Sequence, residues 1–245
     1  DKIDFSILDS SPRGPYLEKT SYCDIKDIES LRNNLTSDFL INLAAVHRDD
    51  IEPKSLYDEV NVQGARNICQ VAREKSIKSI IFISSVAIYG NSGEIKDENA
   101  PINYFNDYGR TKHEAENIFQ DWFEEDNQRT LIIIRPTVIF GPGNRGNIFN
   151  LLNQIYSKQF LMIGKGENVK SICYVKNVAS FISYCLKLTP GIHVFNYIDK
   201  PDLSMNELVF LTKETLNRSK RVLRIPKHAG LVIGKIVDIF SRLVG

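Results

Sequence analysis

The sequence predicts an α/β protein built on a doubly wound parallel sheet, with a smaller C-terminal region. Short apolar runs rich in β-branched residues alternate along the chain with amphipathic helical patterns. Strand, helix, strand and helix in this order are typical of a parallel sheet that carries helices on both faces. Ligands bind such a sheet beyond the carboxyl ends of its strands, so we expect a site there.

The predicted elements follow one another along the whole chain. We predict strands at Phe5–Leu8, Phe39–Ala45, Ser79–Ser85 and Leu131–Pro136, and helices at Tyr57–Glu74 and Asp107–Phe123. After the GPGNRGN loop at 141–147 we predict helices at Ile148–Gln159, Val175–Leu188 and Met205–Leu216, with a short apolar piece at Phe160–Ile163 and a strand at 191–198. This order predicts a first domain over residues 1–141, to which 171–192 returns, and a smaller region over 142–170 and 193–245.

Composition narrows the class of protein. The 31 Lys and Arg residues nearly balance the 30 Asp and Glu residues, so we expect neither a nucleic-acid nor a membrane partner. The four cysteines form no C-x-x-C pair and lack a nearby histidine at metal-ligand spacing, which predicts reduced thiols, a cytoplasmic location and no metal site. The apolar stretch AGLVIGKIVDIFSRLVG at 229–245 contains three charges, which predicts a packing helix; a membrane-surface helix is the alternative.

The pentapeptide YGRTK at 108–112 begins a predicted helix and carries the main chemical signal. Spacing of i, i+4 puts the phenol of Tyr108 and the ammonium of Lys112 on one helical face. A nearby cation favours phenolate and lowers the tyrosine pKa, so the pair can move a proton to or from a hydroxyl. The pentapeptide by itself also fits a surface tyrosine beside a solvated lysine.

Two predicted strand ends supply context for this pair. The run SIIFISSVAIYG at 79–90 ends its strand in Ser84 and Ser85, and the Ser85 hydroxyl can bond the oxygen that Tyr108 serves. The alternative is a turn hydroxyl that satisfies local backbone groups. The segment NLAA at 42–45 closes an earlier strand with small residues, which either let a ligand approach the backbone or pack against a crossover helix.

These motifs together resemble those of a known family. FSILD, CDI, INLAA, NVQGARN, ISSVAIYG, YGRTK and RPTVIFGPGN occur in the order and spacing of extended short-chain dehydrogenases/reductases, the group of nucleotide-sugar epimerases, dehydratases and reductases. The resemblance runs from residue 5 to at least Leu216. It implies a Rossmann-type fold, NAD as cofactor, a nucleotide-diphosphate sugar as substrate with UDP favoured, a role in polysaccharide biosynthesis, and a homodimer formed through helices 57–74 and 107–125.

The resemblance also implies roles for individual positions. Ser85, Tyr108 and Lys112 match the catalytic triad, and Asp9 matches the ribose-binding acid that favours NAD over NADP. Cofactor contacts are implied at Asp9, Asp24, Ile25, Leu43, Ala44, Ala45, Asn61, Ser84, Tyr108, Lys112, Pro136 and Val138. Substrate contacts are implied at Ser85, Val86, Asn144, Arg145, Asn147 and Lys170.

Departures from the family pattern narrow the expected reaction. Relatives that dehydrate hexoses carry an Asp–Glu pair directly after the serine, where this chain has Val86 and Ala87. Neither side chain can move a proton, so we expect no dehydration by that route. His113 follows Lys112 without an accompanying cysteine, which disfavours the GDP-fucose synthase type. Lys170 stands near a position where many relatives have an arginine, and a lysine cannot form the bidentate fork.

The first residues raise a question about the cofactor site. The run FSILD resembles the second strand of a dinucleotide-binding fold, yet the first glycine is Gly14, after that strand. We therefore expect about 30 further residues in the natural protein, with a first strand, a glycine-rich turn and a first helix. Loss of cofactor binding is the alternative.

The function implied by the resemblance is epimerisation, with C4 as the favoured position. Tyr108 removes the proton from a sugar hydroxyl, Ser85 holds that hydroxyl, and Lys112 lowers the Tyr108 pKa and binds the nicotinamide ribose. Hydride passes reversibly between the sugar carbon and NAD through a keto sugar. Three alternatives stay open: a 4-keto nucleotide-sugar reductase that uses NAD(P)H, a hydroxysteroid- or flavonoid-type reductase, and a non-catalytic NAD-binding regulatory protein.

Overall fold

The structure is a computed structural model that describes residues 4–48, 51–91, 93–219 and 221–229. It divides into two compact units, one of residues 1–137 and 178–197, the other of residues 138–177 and 198–245. The predicted C-terminal packing helix lies outside the described residues, apart from Ala229.

A four-stranded parallel sheet forms the centre of the first unit. Its strands are β3 Phe39–Asn42, β4 Ser79–Ile83, β5 Thr130–Pro136 and β10 Gly191–Tyr197. They lie side by side in the order β10–β5–β4–β3. Strand β5 is buried along its whole length, as expected for a strand covered on both faces. The returning segment therefore includes the whole of β10, beyond the predicted limit at residue 192.

Helices cover both faces of this sheet, because successive side chains along a strand pack into apolar clusters on opposite faces. Leu131 and Ile133 of β5 pack into one apolar cluster, whereas Ile132 and Ile134 pack into another. The helices of this unit are α1 Ile28–Asn34, α2 Ser55–Tyr57, α3 Gly64–Glu74, α4 Asp107–Glu124 and most of α6 Val175–Cys185. The predicted doubly wound α/β fold is confirmed.

Two local features differ from the predicted elements. The first predicted strand is β1 Ile7–Asp9, which pairs in parallel with β2 Thr20–Tyr22 in a separate two-stranded sheet. Strand β2 has only three residues and no apolar alternation, so its sequence gives no strand signal. The predicted helix 57–74 contains a π-helical segment, Asp58–Gln63, between α2 and α3.

The second unit contains short strands and two amphipathic helices, α5 Asn147–Tyr156 and α7 Met205–Thr215. The two helices pack together through Ile155 and Val209, which are buried with Met162 in a small apolar cluster. Its strands are β6 Val138–Phe140, β7 Met162–Ile163, β8 Val169–Lys170, β9 Ile172–Tyr174, β11 Leu203–Ser204 and β12 Arg224–Ile225. Among the described residues, no helix has the length and apolarity needed to span a bilayer.

Candidate active site

Ser85 stands where the chain leaves the carboxyl end of β4. Its backbone is extended, and its Oγ accepts a hydrogen bond of 3.1 Å from the Ala87 N–H, which caps the short 3₁₀ helix Val86–Tyr89. Ser84, one residue earlier, is 2 % exposed, and its Oγ has no hydrogen-bond partner within the described part of the chain. The strand end thus places two hydroxyls together, one of them buried and unpaired.

Tyr108 reaches Ser85 from the first turn of α4. The Asn106 side chain caps this helix by accepting a hydrogen bond of 2.9 Å from the Gly109 N–H. The Tyr108 side chain lies close enough to Ser85 for the serine hydroxyl to affect its pKa. Burial raises the pKa of Tyr108 above its usual value, and the interaction with Ser85 acts in the opposite direction.

Lys112 lies one turn further along the same face of α4 and is 2 % exposed. Its Nζ donates a hydrogen bond to the Ile83 carbonyl of β4 and lies 4.1 Å from the centre of the Phe82 ring. Burial lowers the pKa of Lys112 to about 7, opposed by the negative charge of Glu116. Lys112 is not among the groups that shift the Tyr108 pKa, so the predicted lowering of that pKa is not seen in this arrangement.

Two glycines allow the 3₁₀ helix and the residue that ends it to pack against α4 and the loop before α4. A Cβ on Gly109 would lie 2.6 Å from the Ala87 carbonyl oxygen, so only glycine fits between these elements. Gly90 ends the 3₁₀ helix at φ +71°, and a Cβ there would lie 1.9 Å from the Asn103 oxygen. The approach of α4 and its preceding loop to the segment that follows Ser85 therefore depends on glycines that the catalytic pattern alone does not single out.

Asn61 joins the α3 side of the site to the segment after β3. It lies in the π-helical segment, is 5 % exposed, and exchanges hydrogen bonds with the Val46 N–H (2.8 Å) and the Val46 carbonyl (3.0 Å). Its amide also donates to Thr111 Oγ1 of α4 at 2.9 Å. A π-helical turn commonly marks a functional position, and here it carries a side chain that ties two site segments together.

A buried polar network lies behind the catalytic candidates. Glu116, one turn beyond Lys112, accepts hydrogen bonds of 3.0 and 2.7 Å from Arg135 of β5. Arg135 also donates to Tyr89 Oη (2.6 Å) and to the Glu98 carbonyl (3.1 Å), and Tyr89 Oη donates to Asn196 of β10 at 2.9 Å. The network ties α4 to the 3₁₀ helix that follows Ser85. The only sequence signal for this network is Arg135, a charged residue within an otherwise apolar strand.

Comparison with known proteins identifies the family. A sequence model described as "NAD dependent epimerase/dehydratase family" matches residues 3–196. The chain belongs to this family. It is 44 % identical over 247 residues to an N-acetyl-alpha-D-glucosaminyl-diphospho-ditrans,octacis-undecaprenol 4-epimerase of Escherichia coli O157:H7, covering 99 % of this chain and 75 % of that protein. It is 30 % identical to a UDP-glucose 4-epimerase of Vibrio cholerae, covering 80 % of this chain but only 62 % of that protein.

Solved structures agree with the fold at much lower identity. The UDP-glucose 4-epimerase of Thermus thermophilus in complex with NAD superposes with a TM-score of 0.74 at 18 % identity, over 90 % of this chain and 78 % of that one. A UDP-N-acetylglucosamine 4-epimerase from Methanobrevibacter ruminantium M1 gives 0.73 at 21 % identity, over 87 % and 72 %. The family match and the Escherichia coli relative confirm the resemblance to extended short-chain dehydrogenases/reductases.

The cofactor residues expected for this epimerase family lie at several strand ends of the first unit. Asp9 ends β1 with an exposed carboxylate, which accepts a hydrogen bond of 2.6 Å from the Ser11 N–H. The Asp24 carboxylate accepts from the Lys26 N–H at 2.9 Å. The Ile25 side chain packs on Gly64 of α3, where a Cβ would approach it to 2.8 Å.

The remaining cofactor candidates of this unit follow β3 and β5. Leu43 is 68 % exposed directly after β3, and the Ala44 N–H donates to the Asn42 side chain at 3.1 Å. Ala45 comes next and is half-buried, whereas Pro136 is the buried last residue of β5. Together with Ser84 and the amino group of Lys112, which donates to the Ile83 carbonyl, these positions lie at the carboxyl ends of parallel strands, where a ligand of this fold is expected.

The other predicted contact residues belong to different elements. Val86 opens the 3₁₀ helix after Ser85. In the second unit, Val138 starts β6 and is 41 % exposed, the Asn144 side chain accepts from the Gly146 N–H at 2.7 Å, and Lys170 lies in β8. The exposed residues Arg145 and Asn147 precede and begin α5. Their roles stay predictions.

A metal centre finds no support within the described ranges. They contain no group of three or more His, Cys, Asp or Glu side chains able to hold an ion. The four cysteines are free thiols and are all buried.

Proposed function

We propose that the protein is an NAD-dependent 4-epimerase of a diphosphate-linked sugar. The observation that carries this proposal is the proximity of Tyr108 to Ser85, with the buried amino group of Lys112 one turn along the same helix face. The activity named for the Escherichia coli relative, which is similar over nearly the whole chain, supports the choice of 4-epimerisation over other reactions of the family.

The residues at the strand ends fit a nicotinamide dinucleotide. Asp9 offers an exposed carboxylate suited to ribose hydroxyls, and no positively charged side chain forms an ion pair with it among the described residues. The unpaired hydroxyl of Ser84 and the ammonium of Lys112 supply buried donors at the end of β4. When bound, NAD supplies a carbon that accepts a hydride and returns it.

Tyr108 acts as the base for the sugar hydroxyl in this proposal. Ser85, which lies close to Tyr108, holds the substrate oxygen as it changes from hydroxyl to carbonyl. Burial disfavours the phenolate, and Lys112 does not offset this in the present arrangement. The proposal therefore gives Lys112 the other role that the resemblance implies, which is to bind the nicotinamide ribose.

The residues that follow Ser85 limit the reaction. Val86 and Ala87 cannot donate or accept a proton, so the keto sugar is not dehydrated there. Reversal of the first step, with proton return from Tyr108, then completes an epimerisation once the sugar presents its other face.

The sugar carrier is the finer part of the proposal. The Escherichia coli relative is named for a sugar on a diphospho-undecaprenol, and the Vibrio cholerae relative for UDP-glucose. A diphosphate joined to C1 of a hexose is common to both. We put the diphospho-polyprenol carrier first because that relative has the higher identity, and UDP second.

The homodimer and the cytoplasmic location stay predictions. Among the described residues of 55–74 and 107–125, no large apolar side chain is exposed. The outer faces of α3 and α4 are instead joined within the chain by the Arg73–Glu125 ion pair at 2.6 Å. A dimer through these helices would therefore have a polar interface, and sedimentation velocity tests whether it forms.

The experiment for this proposal compares carriers with the full-length protein. N-acetylglucosamine on diphospho-polyprenol and on UDP would each be incubated with NAD, and the products analysed by NMR. We expect a C4-inverted sugar with no net NADH, with Tyr108→Phe inactive and Tyr104→Phe, which changes a nearby tyrosine on the preceding loop, as control. A parallel incubation contains NADH and a 4-keto sugar, and net NADH consumption there would establish a reductase instead. NAD binding without turnover of any sugar would favour the non-catalytic alternative.

A further inference from the structure

The two units carry opposite charge, although the whole chain is almost neutral. Residues 138–177 and 198–245 contain 14 Lys and Arg against six Asp and Glu, whereas the rest of the chain contains 17 against 24. The net charge of +1 for the chain therefore conceals a strongly basic second unit. A basic domain of this kind attracts a polyanionic surface.

The same unit has an apolar groove between α5 and α7. Helix α5 turns Ile148, Leu151 and Ile155 inward, but Phe149, Leu152 and Tyr156 form a second apolar stripe at i, i+3 and i+7. These three residues line a groove of about 550 Å³ with Leu211 and Leu216 of α7 and its C-terminal end. Phe149, Tyr156 and Leu211 are 45 %, 57 % and 43 % exposed, more than core packing of a helix pair requires.

One positive charge contacts this groove, and two more lie close to its residues in the sequence. The Arg218 guanidinium lies 4.7 Å from the centre of the Tyr156 ring and donates to the Tyr156 carbonyl. Lys158 is exposed two residues beyond Tyr156, and Arg221 is exposed after the end of α7. Aromatic and aliphatic side chains bordered by Lys and Arg are typical of helices that lie in the headgroup region of a bilayer.

We propose that the second unit docks on an anionic lipid surface through the α5/α7 groove and its surrounding cations. The apolar stripe enters the headgroup region while Lys158, Arg218 and Arg221 face lipid phosphates. The proposed contact lies on the membrane surface and does not cross the bilayer. It departs from the expectation of no membrane partner, because that expectation rests on the total charge rather than on its distribution. It does not depend on which sugar the active site accepts.

The test is flotation of the full-length protein with vesicles of phosphatidylcholine alone or of phosphatidylcholine with phosphatidylglycerol. We expect binding to the anionic vesicles only, weakened by high salt. Lys158→Asn and Arg221→Asn should each weaken it about fivefold, the effect of one surface cation. Asparagine is the replacement at position 158 because Lys158 has φ +62°, in the left-handed region that asparagine adopts more readily than most residues. Phe149→Ser and Tyr156→Ser should each weaken it roughly tenfold or more through lost apolar burial.

Matched controls come from the first unit. Lys187 is exposed and Tyr184 is 59 % exposed, so Lys187→Asn and Tyr184→Ser remove the same charge and a similar ring elsewhere, and both should bind like the wild type. The proposal is overturned by equal binding to neutral and anionic vesicles, by no binding, or by equal losses in the controls. It is also overturned if the groove variants bind vesicles normally but lose binding to RNA, since the basic unit would then serve nucleic acid.

Discussion

Replacing Glu116 with glutamine should strongly destabilise the first unit, because Arg135 would be left buried without its counter-charge. Glu116 is 1 % exposed and Arg135 is 5 % exposed, and the carboxylate accepts two hydrogen bonds from the guanidinium. A glutamine oxygen can accept one of them, but its amide nitrogen would face the second N–H and carries no negative charge.

Breaking such a pair by removing one partner lowers the free energy of unfolding by about 3–5 kcal/mol. For a chain of this size, that change lowers the midpoint of thermal unfolding by roughly 10 °C. Replacing both partners by apolar residues, as in Glu116→Leu with Arg135→Met, should restore most of the loss, since no buried charge then lacks a partner. Tyr89 keeps its hydrogen bond to Asn196 in that double variant.

Urea unfolding measured by fluorescence suits this comparison because the chain has a single tryptophan, Trp122, fully buried on the same helix. The matched control is Glu114→Gln, which breaks a half-exposed pair with Arg110 (2.9 Å) on the surface of α4 and should change stability by less than about 1 kcal/mol. A loss for Glu116→Gln no larger than for this control, or a double variant as unstable as the single one, would refute the reasoning.

Three further predictions concern single side chains. Lys112→Met should stabilise the protein below pH 7, where the folded wild type must bury a charged lysine, since burial lowers the Lys112 pKa from 10.5 to about 7. Between pH 7 and 10 the folded protein has lost this proton but the unfolded chain keeps it, which stabilises the wild type as the pH rises. The stability difference between the variant and the wild type should therefore shrink by about 1.4 kcal/mol per pH unit. A difference in urea unfolding that does not vary with pH would contradict this. Gly109→Ala should lower kcat more than tenfold, since its Cβ meets the Ala87 carbonyl at 2.6 Å; unchanged kcat in steady-state assays would show that the site tolerates the shift. Ser204→Ala should lower the free energy of unfolding by about 1 kcal/mol in urea because it removes the capping box with Glu207; no change would mean that the cap is not formed.

The fold could be predicted largely from local patterns. The apolar runs around Ile80 and Ile132 contain enough β-branched residues to indicate buried parallel strands, and the helical periodicity of Ala65, Ile68 and Ala72 matches the face that is buried. Strand β2 could not be predicted, because three residues without alternation form a strand only when a neighbouring strand pairs with them.

The site could be predicted only in part, for a similar reason. The spacing of Tyr108 and Lys112 within one helix is a local feature that the sequence displays. The Glu116–Arg135 pair joins residues 19 positions apart on different elements, and the need for Gly109 arises from a contact with another loop. Likewise, the basic character of the second unit appears only once the chain is divided as the structure divides it.

The central claim is reversible hydride transfer at C4, with Tyr108 moving the hydroxyl proton. The most direct measurement uses a diphosphate-linked sugar that carries deuterium at C4, incubated in ordinary water with the full-length protein and NAD. We predict an epimerised product that keeps its C4 deuterium, and no product with Tyr108→Phe. Loss of the deuterium to solvent, or undiminished turnover by Tyr108→Phe, would contradict the proposed chemistry.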